Sequence, residues 1–309
     1  MQTSDTWLAP SAAAPGSVPA DGGVVRLAHW GLLRARGEEA AKFLHGQLTN
    51  DFSLLALGQA RLAGFCSAKG RLQASFVGWK LAHDDLLLAC HHSVLAATLK
   101  RLSMFVLRSK CKLSDEATSP APRVCSGLVG GPALRALAAT ELRDAPAWQQ
   151  RTVDAGSLIK LPESLGQARA VWVAEAGVPA PGALAEEAAL PLDTWRWLEV
   201  SSGLPTIEAA TVDQFVPQML NYELLGGVDF QKGCYPGQEV VARSQYRGTV
   251  KRRMFLFDTD GQASAGQEVF HSADPGQPAG MVANAAPQPG GAGSRLLVEL
   301  KFLSDLEQK

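Results

Sequence analysis

The chain has 309 residues, 46% hydrophobic and 19% charged, with 29 Lys plus Arg set against 30 Asp plus Glu. That profile supplies enough apolar sequence for two or three folded domains and argues against disorder. The net charge of −1 argues against a general nucleic-acid coat protein, and no apolar run approaches the roughly 18 residues that a membrane-spanning helix needs.

Residues 1–23 are rich in Ala, Pro, Gly and Ser, carry Asp5 and Asp21 and hold no Lys or Arg, so they read as a disordered tail rather than a targeting segment. Residues 38–50 place Ala40, Phe43, Leu44 and Leu48 at helical spacing. Arg61 to Ala68 and Leu72 to Leu81 read as two strands of a hairpin turning at Lys69-Gly70-Arg71. A buried strand is expected at 85–90, a helix at 93–102 and a further, basic strand at 106–113, before Pro120 and Pro122 mark a break at 114–123. The middle part mixes strands at 123–129, 157–161 and 170–174 with helices at 132–139 and 192–200, the last with Asp193 as its candidate cap. This irregular alternation points to an α+β fold. From Gly248 the chain changes to short strands at 253–257, 268–270, 280–282 and 295–302, with a Gly/Pro/Ala-rich loop at 285–294, which suggests a small terminal β-barrel or sandwich.

Five cysteines, Cys66, Cys90, Cys111, Cys125 and Cys234, are widely spaced and form no C-x-x-C pair. They read as free thiols in a reducing compartment, with the cytoplasm as the expected location, and not as a disulfide framework or a four-thiolate metal site. The Cys90-His91-His92 run lacks a further ligand at useful spacing, so no resident metal is expected.

The run Lys232-Gly233-Cys234-Tyr235-Pro236-Gly237-Gln238-Glu239-Val240-Val241-Ala242-Arg243 carries the most chemistry. Two glycines bracket the thiol and permit a tight turn with close backbone approach to a ligand. Lys232, two residues before Cys234, is expected to favour its thiolate. Gln238 and Glu239 offer hydrogen bonds to a heterocycle, and Val240-Val241 resume a strand-like pattern. Between Lys232 and Arg253 six basic residues face one acid, and between Ala96 and Leu113 five face none. If the two stretches converge they line an anion-attracting groove, for a small anionic ligand or an RNA backbone.

The 232–243 run resembles the signature K-G-C-[FY]-x-G-Q-E-x-x-[AS]-R of the YgfZ family. Gly203-Leu204-Pro205-Thr206-Ile207, Gln214 to Gln218 and Leu225 to Val228 precede it as in that family, and Arg247-Gly248 and Lys251-Arg252 follow. Phe43 to Asp51 and Lys69-Gly70-Arg71 also fit, so the likeness runs from about residue 24 to the C-terminus. It implies the fold of the glycine-cleavage T-protein: three domains around a central channel (24–118, 119–244 and 245–309), the last a β-barrel. It further implies a bound tetrahydrofolate or derivative, and a role in assembling or maintaining iron–sulfur enzymes, including those that thiolate transfer RNA. By position, Cys234 and Lys232 carry any chemistry, with Cys234 as a thiolate or a transient cluster contact. The cofactor falls to Lys232, Gly233, Tyr235, Gln238, Glu239, Arg243 and Arg247, with Asn50, Asp51, Lys69 and Arg71 from the opposite domain.

The carboxylates by which a T-protein holds its substrate amine and pterin would fall at Ala74, Ser75 and Ser201, so the resemblance implies binding rather than aminomethyl transfer. Two alternatives stand beside the accessory role: a folate-dependent aminomethyltransferase-like enzyme, and a factor that binds transfer RNA through its basic stretches. The expected partners are folate, iron–sulfur client or assembly proteins and transfer RNA, with no membrane.

Overall fold

Strand β1 (Gly22–Arg26) and strand β2 (Trp30–Arg36) lie close in sequence but join different sheets. They are seen in a computed structural model that describes residues 18–301 apart from 154–155, 185, 247–249 and 273. Residues 1–17 of the expected tail lie outside that range, while Gly22 and Gly23 already belong to β1.

The first sheet is antiparallel and ordered β3-β4-β5-β2-β6, with β3 Ala60–Cys66, β4 Leu72–Ala82, β5 Asp85–His91 and β6 Lys112–Asp115. The expected hairpin is β3-β4. Helices α1 (Ala40–His45) and α2 (His92–Val106) bury Phe43, Leu44, Leu95 and Leu102 in one core with Phe65 and Phe76 of this sheet. Helix α1 is shorter than its apolar stripe predicts, because Gly46 ends it and Leu48 bridges to Phe65 instead.

The basic strand predicted at 106–113 is a correction. The apolar stripe of α2 carries the helix to Val106, the chain turns at Leu107, and pairing with β2 begins only at Lys112. The break expected at 114–123 contains the buried carboxylate of Glu116, 1% exposed, which accepts from Arg34 and from Arg123 at 2.8 Å.

The second sheet, also antiparallel, runs β1-β7-β10-β9-β8, with β7 Arg123–Gly130, β8 Gln150–Val153, β9 Gly156–Ser164 and β10 Gln167–Glu175. Helix α3 (Gly131–Ala139) covers its outer face. Helix α4 (Leu192–Ser201) covers the inner face, where the missing side chain of Gly127 makes room for the Trp195 ring. Asp193 is not the cap. It sits in the first turn of α4, 3.9 Å from Arg196, and Pro191 takes the capping position.

The third sheet is β11-β14-β13-β12, with β11 Arg252–Thr259, β12 Glu268–His271, β13 Asp274–Pro287 and β14 Ser294–Lys301. Its four described strands form an open sheet and not the closed barrel expected. The loop expected at 285–294 shrinks to 288–293, since Ala285 and Ala286 are small enough to bury within β13. A largely irregular segment with α5 (Gln238–Tyr246) links the second and third sheets.

Trp79 and Leu87 of the first sheet, Ile159 and Val171 of the second, Leu297 of the third and Leu198 of α4 share one core. Burying apolar surface common to all three units locks them into a single body, as the α+β, three-unit reading requires. No described helix is long and apolar enough to cross a membrane.

Candidate functional site

Between the first and second sheets, β2, β4, β5, β10, α4 and the 204–206 segment enclose a narrow cleft of about 40 Å³. Trp30, Phe76, Trp148 and Tyr222 give it aromatic walls, and Ser75, His91, Arg169, Glu199 and Thr206 supply its polar groups.

Glu199, near the end of α4, accepts from His29 Nε2 at 2.8 Å and from Trp30 Nε1 at 3.1 Å. Burial works to raise this carboxyl, but the hydrogen bond and charge of His29, joined by Arg169, outweigh it and hold the group below the ordinary carboxylate range. Arg169 on β10 is 1% exposed, donates from one terminal nitrogen to Leu198 O at 2.8 Å and lies 5.0 Å over the Trp195 ring. Burial lowers it to about 10, with Glu199 opposing, and its Nε has no partner among the described groups. His91 Nδ1 accepts from the Ser93 backbone N–H, and burial works against the charged form of the ring. Its Nε2 therefore carries the hydrogen. The cleft thus presents an acceptor, Glu199, beside two donors, Arg169 and His91.

The 232–243 run forms a separate, tightly anchored loop. Asp229 Oδ1 accepts from the backbone N–H groups of Gln231, at 2.8 Å, and Lys232. The Lys232 ammonium, 8% exposed, donates to the carbonyls of His45 and, at 2.9 Å, Leu48, and sits 4.7 Å over the Tyr235 ring. Burial lowers it to about 8, with Asp51, Asp229 and Cys234 opposing. The amine therefore spends its hydrogen bonds on the carbonyls at and just beyond the end of α1. Cys234 is exposed, whereas Tyr235 is buried and its phenol is pushed up by burial.

The expected residues divide into groups. Asn50 and Asp51 meet the Lys232 loop: Asn50 Nδ2 donates to Leu62 O at 2.8 Å and to Gly226 O at 2.7 Å, and Asp51 Oδ1 lies 3.0 Å from His45 Nδ1. Burial opposes ionisation of Asp51, but the Leu54 amide and His45 prevail and hold it low. Lys69 is exposed on the hairpin turn, which interlocks with the start of α5. At Gly237, φ is +80° and a Cβ would lie 2.4 Å from Ser67 O, so only glycine fits. Gln238 and Glu239 open α5, and Arg243 is exposed on it. The strand-like reading of Val240-Val241 is corrected: Val241 is fully buried against Tyr222 and Val228 while Val240 faces out, on a helix starting at the Gly237 turn.

Arg71 turns away and donates to the carbonyls of Asp213 and Gln214. Arg247 lies outside the described residues. None of the described residues expected to bind the cofactor lines the central cleft. The two basic stretches also pack on different elements, α2 on the first sheet and α5 on the turn at 217–220.

Of the positions that replace T-protein carboxylates, Ser75 lines the cleft and Ala74 is buried in the first core, while Ser201 donates to Trp197 O at 2.6 Å. Glu199, Arg169 and His29 were not anticipated from sequence. The one local signal was Arg169 inside the otherwise apolar run Ala168 to Ala174. No group of three or more His, Cys, Asp or Glu among the described residues is arranged to hold a metal ion.

No protein-family model matches the chain. A tRNA-modifying protein YgfZ from Serratia proteamaculans is 32% identical over 240 residues, covering 76% of this chain and 70% of that protein. The protein of the same name from Edwardsiella ictaluri is 33% identical over 246 residues, covering 75% and 70%. Among solved structures, glycine cleavage system aminomethyltransferase T from Bartonella henselae superposes with a TM-score of 0.72 at 19% identity, over 92% of this chain and 79% of that one.

Proposed function

The chain belongs to the YgfZ family, and from that membership we propose that it is a folate-binding accessory protein supporting iron–sulfur enzymes, among them those that thiolate transfer RNA. The observation that carries this reading is the aromatic-walled cleft between the first two sheets, with Glu199 fixed in it by His29 and Trp30. A flat heterocycle suits such walls, and a pterin edge presents the N–H donors that a carboxylate accepts. The donor set therefore fits tetrahydrofolate or a derivative, which when bound would supply a carrier of one-carbon units.

In this reading Trp30 and Tyr222 would line the ring, Glu199 would orient it and the shared apolar core would exclude water behind it. Lys69 and Arg243, exposed near the contact between Gly70 and Val240, would pair with the carboxylates of a folate tail that reached them. Lys232 acts as the scaffold that presents Cys234 to a client, as a thiolate or as a transient cluster contact. Aminomethyl transfer is disfavoured because Ala74 and Ser75 stand where a substrate amine needs carboxylates.

One observation favours a second reading, direct contact with transfer RNA. Tyr246, 71% exposed, stands 5.9 Å from Phe230 beside Arg61 in an open cleft, where a base could stack. That reading requires transfer-RNA binding that weakens steeply with salt and is lost in Tyr246→Ala. The accessory role is tested by restoring the activity of a tRNA-thiolating iron–sulfur enzyme in cells that lack this protein. Wild type should restore it, and Glu199→Gln and Cys234→Ala should not. Full restoration by both variants would retire the reading.

A further inference from the structure

The Arg169 guanidinium is a buried cation with an unmade hydrogen bond. It projects from the face of β10 that packs on the shared core, since Val171 and Val173 on the same face belong to that core while Ala168, Ala170 and Trp172 face α3. One terminal nitrogen is committed to Leu198 O, the flat face is committed to Trp195, and Nε is buried without a partner. The one acid among the described residues that acts on its charge, Glu199, also accepts from His29 and Trp30. A buried unpaired donor on a cation costs more than a neutral one, so the site gains most from a ligand that brings an acceptor to it.

We propose that Arg169 is a specificity-determining residue of the cleft: with Glu199 beside it, it selects a ligand edge in which a ring N–H adjoins a carbonyl oxygen. This inference rests on the folate reading and deepens it. Glu199 accepts the ring N–H and Arg169 donates to the neighbouring oxygen, so the cleft takes 4-oxo pterins and rejects 4-amino pterins. In the 4-amino ring the oxygen is replaced by an amino donor and the adjoining nitrogen loses its hydrogen. Arg169 would then face a donor and Glu199 a lone pair. Sites built around a buried polar group reject analogues that leave it unpaired by large factors.

The test compares tetrahydrofolate with its 4-amino analogue, tetrahydroaminopterin, by calorimetric titration of the full chain. Wild type is expected to prefer tetrahydrofolate by about 100-fold or more. Arg169→Met, which keeps the length of the side chain without its donors, should bring the two affinities within about threefold. Equal affinity of wild type for the two compounds overturns the inference, and it does so even if Arg169→Met fails to fold. So does a preference that survives intact in a folded Arg169→Met or Arg169→Leu. If tetrahydrofolate does not bind wild type at all, the folate reading itself fails, an outcome distinct from equal binding.

Discussion

Replacing Lys232 with methionine removes the donor that the carbonyls of His45 and Leu48 share, in a place water reaches poorly. Two buried acceptors left unpaired cost about 1–3 kcal/mol each. Against this stands what the wild type spends on burying an ammonium. Its lowering from 10.5 to about 8 corresponds to at most about 3 kcal/mol, and to about half that once screening at the mouth of the loop is counted. The net expectation is a variant less stable by about 1–3 kcal/mol near neutral pH.

The pH dependence sharpens the test. Between about 8 and 10.5 the unfolded chain still binds a proton at this lysine and the folded chain does not, so wild-type stability rises with pH across that window. The methionine variant lacks the effect, and its deficit should therefore grow from pH 7.5 to pH 10 by about 1–2 kcal/mol. Urea unfolding followed by tryptophan fluorescence at the two pH values measures both quantities. A deficit below about 0.5 kcal/mol, or one identical at both pH values, would refute the assignment of Lys232 as the anchor of the loop.

Gly237→Ala should cost at least about 2 kcal/mol, because a Cβ placed 2.4 Å from Ser67 O at φ +80° must push the hairpin turn off α5; an unchanged urea midpoint would contradict that interlock. Intact-protein mass spectrometry with iodoacetamide at pH 7.5 should show Cys234 alkylated while Cys66, Cys90 and Cys125, buried and pushed up to about 12, stay unmodified and Cys111, pushed up to about 11, reacts slowly. His45→Gln should slow the Cys234 reaction severalfold, since the imidazole is held by Asp51 and its Nε2 lies 3.1 Å from where a Cβ on Gly233 would be; an unchanged rate would show that the imidazole does not act on the thiol.

How much was legible in the sequence depended on how local the determining contacts are. The β3-β4 hairpin could be read because its alternation and its Lys69-Gly70-Arg71 turn lie within one short window. The loop at 232–238 could be read as a turn for the same reason. Helix α5 was misread because two adjacent valines suggest a strand, whereas Gly237 starts a helix that only Val241 ties to the core. Strand β1 escaped because nothing local distinguishes it from the tail, and its partner is β7. The cleft was the least legible part. His29 and Glu199 stand 170 residues apart and meet only when β2 and α4 close on each other. A lone charge in an apolar strand, as at Arg169, is the kind of departure from local pattern that marks a site, though its partners appear only in the fold.

The central claim is that the cleft around Glu199 holds a folate. The most direct measurement is calorimetric titration of 5-formyltetrahydrofolate into wild type and Glu199→Gln, with Cys234→Ser as the control outside the cleft. The account expects micromolar binding to wild type and Cys234→Ser, weakened at least about tenfold in Glu199→Gln, the loss of one charge-assisted hydrogen bond. Wild-type affinity in Glu199→Gln, or no binding to wild type, would contradict it.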